Sequence, residues 1–120
     1  MNVLIVESKA ELGSLWCRHL ERQGATVSVV QTQDQAIEEL QQREYDILVL
    51  DIVLSEGSAL AVADFANYRC PKARVIFVTN TTFFSDGSIF AHSSNACAYV
   101  KTETPPEDLA AMIEHYAAGR

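Results

Sequence analysis

The segment Tyr45-Asp46-Ile47-Leu48-Val49-Leu50-Asp51 sets four apolar residues in a row and stops them at a carboxylate. A half-buried strand alternates apolar and polar residues. An uninterrupted run suits a strand covered on both faces, as in a parallel sheet between two helical layers. An Asp where such a strand ends lies at the sheet's carboxyl edge, where open α/β folds gather their ligands and chemistry. The remaining segments either bring partners to Asp51 or leave it alone.

Other apolar runs repeat the pattern. Val3-Leu4-Ile5-Val6 reads as a first strand closed by Glu7, Thr26–Val30 as a second, Val75-Ile76-Phe77-Val78 before Thr79 as a fourth, and residues 97–100 as a fifth. Helices are expected between and after them. Ser8-Lys9-Ala10-Glu11, Thr32-Gln33-Asp34-Gln35 and Thr104-Pro105-Pro106-Glu107 each match a capping box. Leu12, Leu15, Trp16 and Leu20 form the buried stripe of the first helix, with His19 beside it and Gly24 as its stop. Ala36, Ile37 and Leu40 form a narrow stripe on the second helix, and residues 59–68 read as a third. Residues 80–94 read as a long polar connection holding a short helix near residues 89–92. Leu109, Met112, Ile113 and Tyr116 carry the last helix inward.

Five strands alternating with five helices predict an α/β fold: one doubly wound, five-stranded parallel sheet with helices on both faces. The usual strand order for such a sheet is the flavodoxin-like 2-1-3-4-5. The whole chain, residues 1–120, forms one domain, large enough for a core and too small for two.

Sixteen acids against nine Lys and Arg leave a formal charge of −7, which argues against non-specific nucleic-acid or anionic-membrane binding. No apolar stretch approaches the roughly 20 residues that span a bilayer. The N-terminus lacks a basic signal-peptide region and meets acid at Glu7, so a cytoplasmic chain is expected. Cys17, Cys70 and Cys97 are odd in number and lack metal-site spacing, as expected of reduced structural thiols.

In the predicted order, the neighbouring carboxyl ends of strands one, three, four and five deliver Glu7 and Ser8, Asp51, Thr79, and Lys101 or Thr102. On these residues, and on the stretches Ala98-Tyr99-Val100-Lys101-Thr102 and Thr104-Pro105-Pro106-Glu107-Asp108-Leu109, the chain resembles the response-regulator receiver domain. This is the chemotaxis-regulator-like module of bacterial two-component signalling, and the resemblance covers essentially the whole chain.

The resemblance implies a phosphoacceptor domain rather than an enzyme, with at most self-catalysed phosphotransfer and dephosphorylation. Asp51 would take a phosphoryl group from a histidine kinase or a histidine phosphotransfer protein. Mg²⁺ would be held by the Asp51 carboxylate, the Val53 backbone carbonyl and Glu7. Lys101, or Thr102 in the alternative register, would pair with the phosphoryl group and Thr79 would hydrogen-bond it. Thr79 and Tyr99 would act as the switch for the face formed by the fourth helix, fifth strand and last helix. Output would pass to an unidentified protein, or the chain would serve as a phosphate shuttle or sink, as a monomer or weak homodimer.

Two positions depart from the family pattern. Ser8 stands where a direct metal ligand is usually Asp, and the lysine position falls on Thr102 counted from Tyr99 but on Lys101 counted from Thr79. These departures support an alternative, a pseudo-receiver that keeps the fold as a protein-interaction module with weak or absent phosphotransfer. A flavin-binding electron carrier on the same fold is the third reading. It needs a hydroxyl- and glycine-rich phosphate loop, whereas Glu7-Ser8-Lys9-Ala10-Glu11 would repel a phosphate.

Overall fold

Residues 3–6, 47–50 and 75–78 are all buried and lie side by side at the centre of one parallel sheet. The computed structural model describes residues 1–54, 56–79 and 96–118. Its elements are β1 (Asn2–Val6), α1 (Ala10–Arg22), β2 (Thr26–Val30), α2 (Gln33–Gln42), β3 (Ile47–Asp51), α3 (Ala59–Arg69), β4 (Arg74–Thr79), β5 (Ala96–Lys101) and α4 (Pro106–Ala118). The strand order is β2-β1-β3-β4-β5 with every pairing parallel, as the sequence predicts. The connection at residues 80–94, with the helix expected inside it, lies outside the described residues.

Alternation along each central strand divides the core in two. Val3, Ile5, Ile47, Val49, Ile76 and Val78 pack with Trp16 and Leu20 of α1 and Leu109 and Ile113 of α4. Leu4, Val6, Leu48, Leu50, Val75 and Phe77 pack with Ala36 and Leu40 of α2 and Val62, Ala63 and Ala66 of α3. Each buried Leu, Ile or Val gains about 1.5–3 kcal/mol over an exposed one. This is why the apolar runs are continuous and why β3 meets its first polar side chain at Asp51. No described helix is long and apolar enough to cross a membrane.

The helix ends agree with the sequence in part. Gly24, at φ +91°, follows α1 in a Schellman arrangement: its N–H donates to Glu21 O and the Ala25 N–H to Leu20 O. Thr32 caps α2 by accepting from the Gln35 N–H, while Gln35 Oε1 reaches one residue beyond a capping box to the Gln31 N–H. The box expected at Ser8 and Glu11 does not form. The Glu7 N–H donates to Val30 O at 3.0 Å, so the chain stays extended past β1. The cap position thereby falls on Lys9, whose side chain makes no capping bond. Thr104 likewise gives way to Pro105, whose carbonyl receives the Asp108 and Leu109 N–H groups, and Pro106 occupies the first helical position.

β5 is longer than expected at both ends and carries a bulge. Val75 pairs with Ala96 and Ile76 with Ala98, leaving Cys97 as the extra residue. Beyond it the register is regular, with Phe77 opposite Tyr99 and Thr79 opposite Lys101.

Thr32→Ala is expected to cost about 1 kcal/mol, read as a lower urea midpoint at unchanged slope. An unchanged midpoint would mean that the Gln35 bond to Gln31 holds the helix start unaided.

Candidate functional site

Glu7 and Asp51 meet at the carboxyl edge of the sheet. Val6 pairs with Leu50, so the residue after each strand's last apolar position arrives at the same level. By alternation both side chains belong to the face covered by α1 and α4, continuing the rows of Ile5 and Val49. Glu7 is fully buried, whereas Asp51 is half-exposed.

The burial of Glu7 has a local cause. Gly13 brings α1 so close that a Cβ there would stand 3.0 Å from Val29 Cγ1 and 3.7 Å from Glu7 Cβ. The glycine lets the helix close over the acid's stem. Glycine inside an otherwise helical pattern is the sequence signal of such a close approach, and it was available at Gly13.

Neither Glu7 carboxyl oxygen has a hydrogen-bond partner among the described residues. Burial, and then the neighbouring Asp51 carboxylate, push its pKa from 4.5 up to about 9, against a smaller opposing effect of Lys9. A buried acid with orphaned oxygens beside a second carboxylate fits a hard cation bound through oxygen. The described residues offer two acids here, and they contain no cluster of three potential metal-ligating side chains. Ser8, half-buried in the bend after Glu7, supplies no third carboxylate.

Asp51 also organises the loop that follows it. Its Oδ1 accepts the Val53 N–H at 3.0 Å, and the Ile52 N–H donates to Val78 O at 2.9 Å. Val53 is thus turned outward, 53% exposed, within two residues of the acid.

On the neighbouring strand Thr79 is buried, and its hydroxyl has no partner among the described residues. Thr79 is paired with Lys101 in the ladder, and its carbonyl receives the Thr102 N–H at 2.7 Å. Tyr99 stacks on Phe77 with ring centroids 5.7 Å apart, while Val100 packs in the core on the opposite face. Alternation therefore returns Lys101 to the face of Tyr99, away from the face of Asp51. Lys101 is exposed, and among the described residues no ion pair joins it to Asp51. The structure thus brings Glu7, Asp51 and Val53 together and sets Thr79 and Lys101 side by side on the next strands.

His19, read as structural, donates its Nδ1–H to Leu15 O and lies 3.8 Å from Glu107, tying α1 to α4. Asp46, read as a solvated strand-entry residue, accepts the Asn2 N–H at 2.8 Å and so fastens the start of β1.

The raised Glu7 pKa makes the cation-free protein sensitive to pH. The folded state holds a proton on Glu7 that the unfolded state releases above about pH 4.5. This contribution to stability is fully present below pH 4.5 and is lost as pH rises through about 9. Between pH 5 and 8 the wild type is expected to lose on the order of 4 kcal/mol relative to Glu7→Gln. Urea titrations in chelator would show this. A gap that stays constant with pH would rule out a buried neutral Glu7.

Comparison with known proteins bears on this arrangement. The sequence pattern of the response regulator receiver domain matches residues 3–114. The transcriptional regulatory protein RstA of Escherichia coli (strain K12) is 29% identical over 114 residues, which are 94% of this chain and 47% of that protein. The chain thus spans about half the length of this curated relative. Among solved structures, a CheY-like receiver domain protein from Methanospirillum hungatei JF-1 superposes with a TM-score of 0.88 at 21% identity, covering 98% of this chain and 94% of that one. The Thermotoga maritima response regulator TrrA, solved in complex with Mg²⁺ and beryllofluoride, gives 0.80 at 22% identity, over 96% and 97% of the two chains. At these identities the structural likenesses establish the fold alone. The family pattern does more, because it runs from the first buried residue of β1 into the last helix, and the chain belongs to the response regulator receiver domain family of two-component signalling.

Proposed function

We propose that Asp51 is the phosphoacceptor of this receiver domain, loaded by a histidine kinase or a histidine phosphotransfer protein. The observation that carries the reading is the half-exposed Asp51 carboxylate at the carboxyl end of the central strand, set against a fully buried second acid. An Asp51 oxygen attacks phosphorus, the P–N bond to the donor imidazole breaks, and its electron pair stays on the ring nitrogen. The product is an acyl phosphate on Asp51.

Glu7, Asp51 and the Val53 carbonyl would hold Mg²⁺, which neutralises the phosphoryl oxygens during transfer. The chain's own groups do the rest. The Val53 N–H orients the Asp51 carboxylate by its bond to Oδ1. Thr79 carries a buried hydroxyl, without a partner among the described residues, that can hydrogen-bond a phosphoryl oxygen at the end of β4. Lys101, at the end of β5 opposite Thr79, carries the amine on a flexible four-carbon stem and pairs with the phosphoryl charge around the strand end. In the alternative register Thr102 takes that position with a hydroxyl. Movement of Thr79 toward the phosphoryl group, followed by Tyr99, would pass the change to the β5 surface. Output would then run through altered protein contacts in the cytoplasm. As the chain spans about half of its regulator relative, a wider transcriptional role belongs to the same proposal.

A second reading, a pseudo-receiver working as an interaction module, is favoured by two observations. Ser8 leaves two acids at the site, and Lys101 shares the face of Tyr99 rather than of Asp51.

Incubation with Mg²⁺ and a small phosphodonor is expected to add one phoshoryl mass to the wild type and none to Asp51→Ala, by intact mass spectrometry. Thr79→Ala is expected to slow adduct formation about tenfold or more, by analogy with loss of one charge-stabilising donor. Absence of any adduct, and of beryllofluoride binding at high Mg²⁺, would leave the pseudo-receiver as the function.

A further inference from the structure

The β3–α3 loop carries Val53, and its far end is held by α2. Gln33, the first residue of α2, grips that end twice. Its N–H donates to Glu56 O at 3.2 Å, and its side-chain Oε1 accepts the Ser58 N–H at 2.8 Å. Gly57 lies between these two bonds at φ +95°, and a Cβ there would collide with Gln33 Cβ and stand 2.7 Å from Gln33 Oε1. Glycine is thus required on both counts, conformation and space. Ser58 in turn caps α3 through the Ala61 N–H.

The loop is therefore pinned at both ends. Ile52 and Val53 are tied to Val78 and Asp51 at the front, Leu54 is buried in the core, and Glu56 and Ser58 are tied to Gln33 at the rear. A loop with a loose rear must be ordered when its carbonyl takes up an ion, and that ordering weakens binding.

We infer that Gln33 is a positioning residue for the site: through Glu56 and Ser58 it pre-orders the loop that offers the Val53 carbonyl. This rests on the reading of Glu7, Asp51 and Val53 as the Mg²⁺-binding set. It also makes the start of α2, which follows the edge strand β2, a structural contributor to a site built on β1 and β3.

The test is Mg²⁺ binding itself, with Mg²⁺ alone as the probe. Amide shifts of Ile52, Val53 and Leu54 in ¹⁵N-labelled protein report the dissociation constant, and urea midpoints report stability in parallel. Gln33→Ala is expected to weaken Mg²⁺ about tenfold, at the low end for a supporting residue because Leu54 still anchors the loop. Gln33→Glu keeps an acceptor for the Ser58 N–H and is expected to stay within about twofold of the wild type. Thr32→Ala, which removes the cap bond to the Gln35 N–H and leaves both Gln33 bonds to the loop in place, is expected to lower stability and leave Mg²⁺ affinity unchanged. Equal Mg²⁺ affinity in Gln33→Ala and wild type would overturn this inference while leaving the metal reading intact. Equal loss in Thr32→Ala and Gln33→Ala would overturn it as well, reducing Gln33 to a general support of α2. Absence of Mg²⁺-induced shifts in the wild type would overturn the metal reading, and the inference with it.

Discussion

The β1–β3–β4 pairing buries Leu4, Leu48 and Val75 under α2 and α3, and Ile5, Val49 and Ile76 under α1 and α4. With both faces spoken for, a polar side chain on these strands is tolerated only at their ends. Parallel pairing then puts all the carboxyl ends at one edge. Glu7, Asp51 and Thr79 are neighbours because their strands are each buried twice over, and their local sequences need only stop in step. The candidate site is in this sense a by-product of the core.

Glu7 bears the largest electrostatic cost of that arrangement. Closing α1 over it through Gly13 removes water from an acid that already faces Asp51. In a protein without a cation the charge is avoided by holding a proton, and in a cation-bound protein it would be balanced directly. Either way the fold accepts a group that an apolar residue would replace at lower cost. Such a locally unfavourable choice, at the one edge where chemistry gathers, is what a functional site asks of a scaffold.

Much of this was legible in the residues. The unbroken apolar runs carried the sheet and the position of Asp51, because double burial leaves a composition signal strong enough to survive without an alignment, while the strand order came from the usual winding of such sheets. What escaped depends on backbone paths that composition does not record. The Ser8 box failed because a single hydrogen bond from the Glu7 N–H to Val30 O shifts the helix start by one residue. The Cys97 bulge left no mark of its own, since its neighbours Ala96 and Ala98 suit either register. Gln33 reads as an ordinary first-turn residue of a helix, and only the folded chain brings it against Gly57, across a sequence separation that no local pattern spans.

The amine at the end of β5 shows how far spacing alone can decide geometry. The bulge at Cys97 lies upstream of Tyr99, so it shifts the strand's entry but cannot change the relation between Tyr99 and Lys101. Two residues apart on a regular strand means the same face. Once Tyr99 stacks on Phe77, Lys101 is committed to the Phe77 side, while Asp51 belongs to the Val49 side. Thr102 has the opposite parity, but its N–H is already spent on the Thr79 carbonyl in the turn that ends the strand. An amine can therefore meet a phosphoryl group on Asp51 only by reaching around the strand end, at the entropic cost of ordering a long exposed side chain. By the same parity Thr79, two residues past Phe77 and paired with Lys101, also belongs to the Phe77 side, whereas the buried Glu7 shares the face of Asp51.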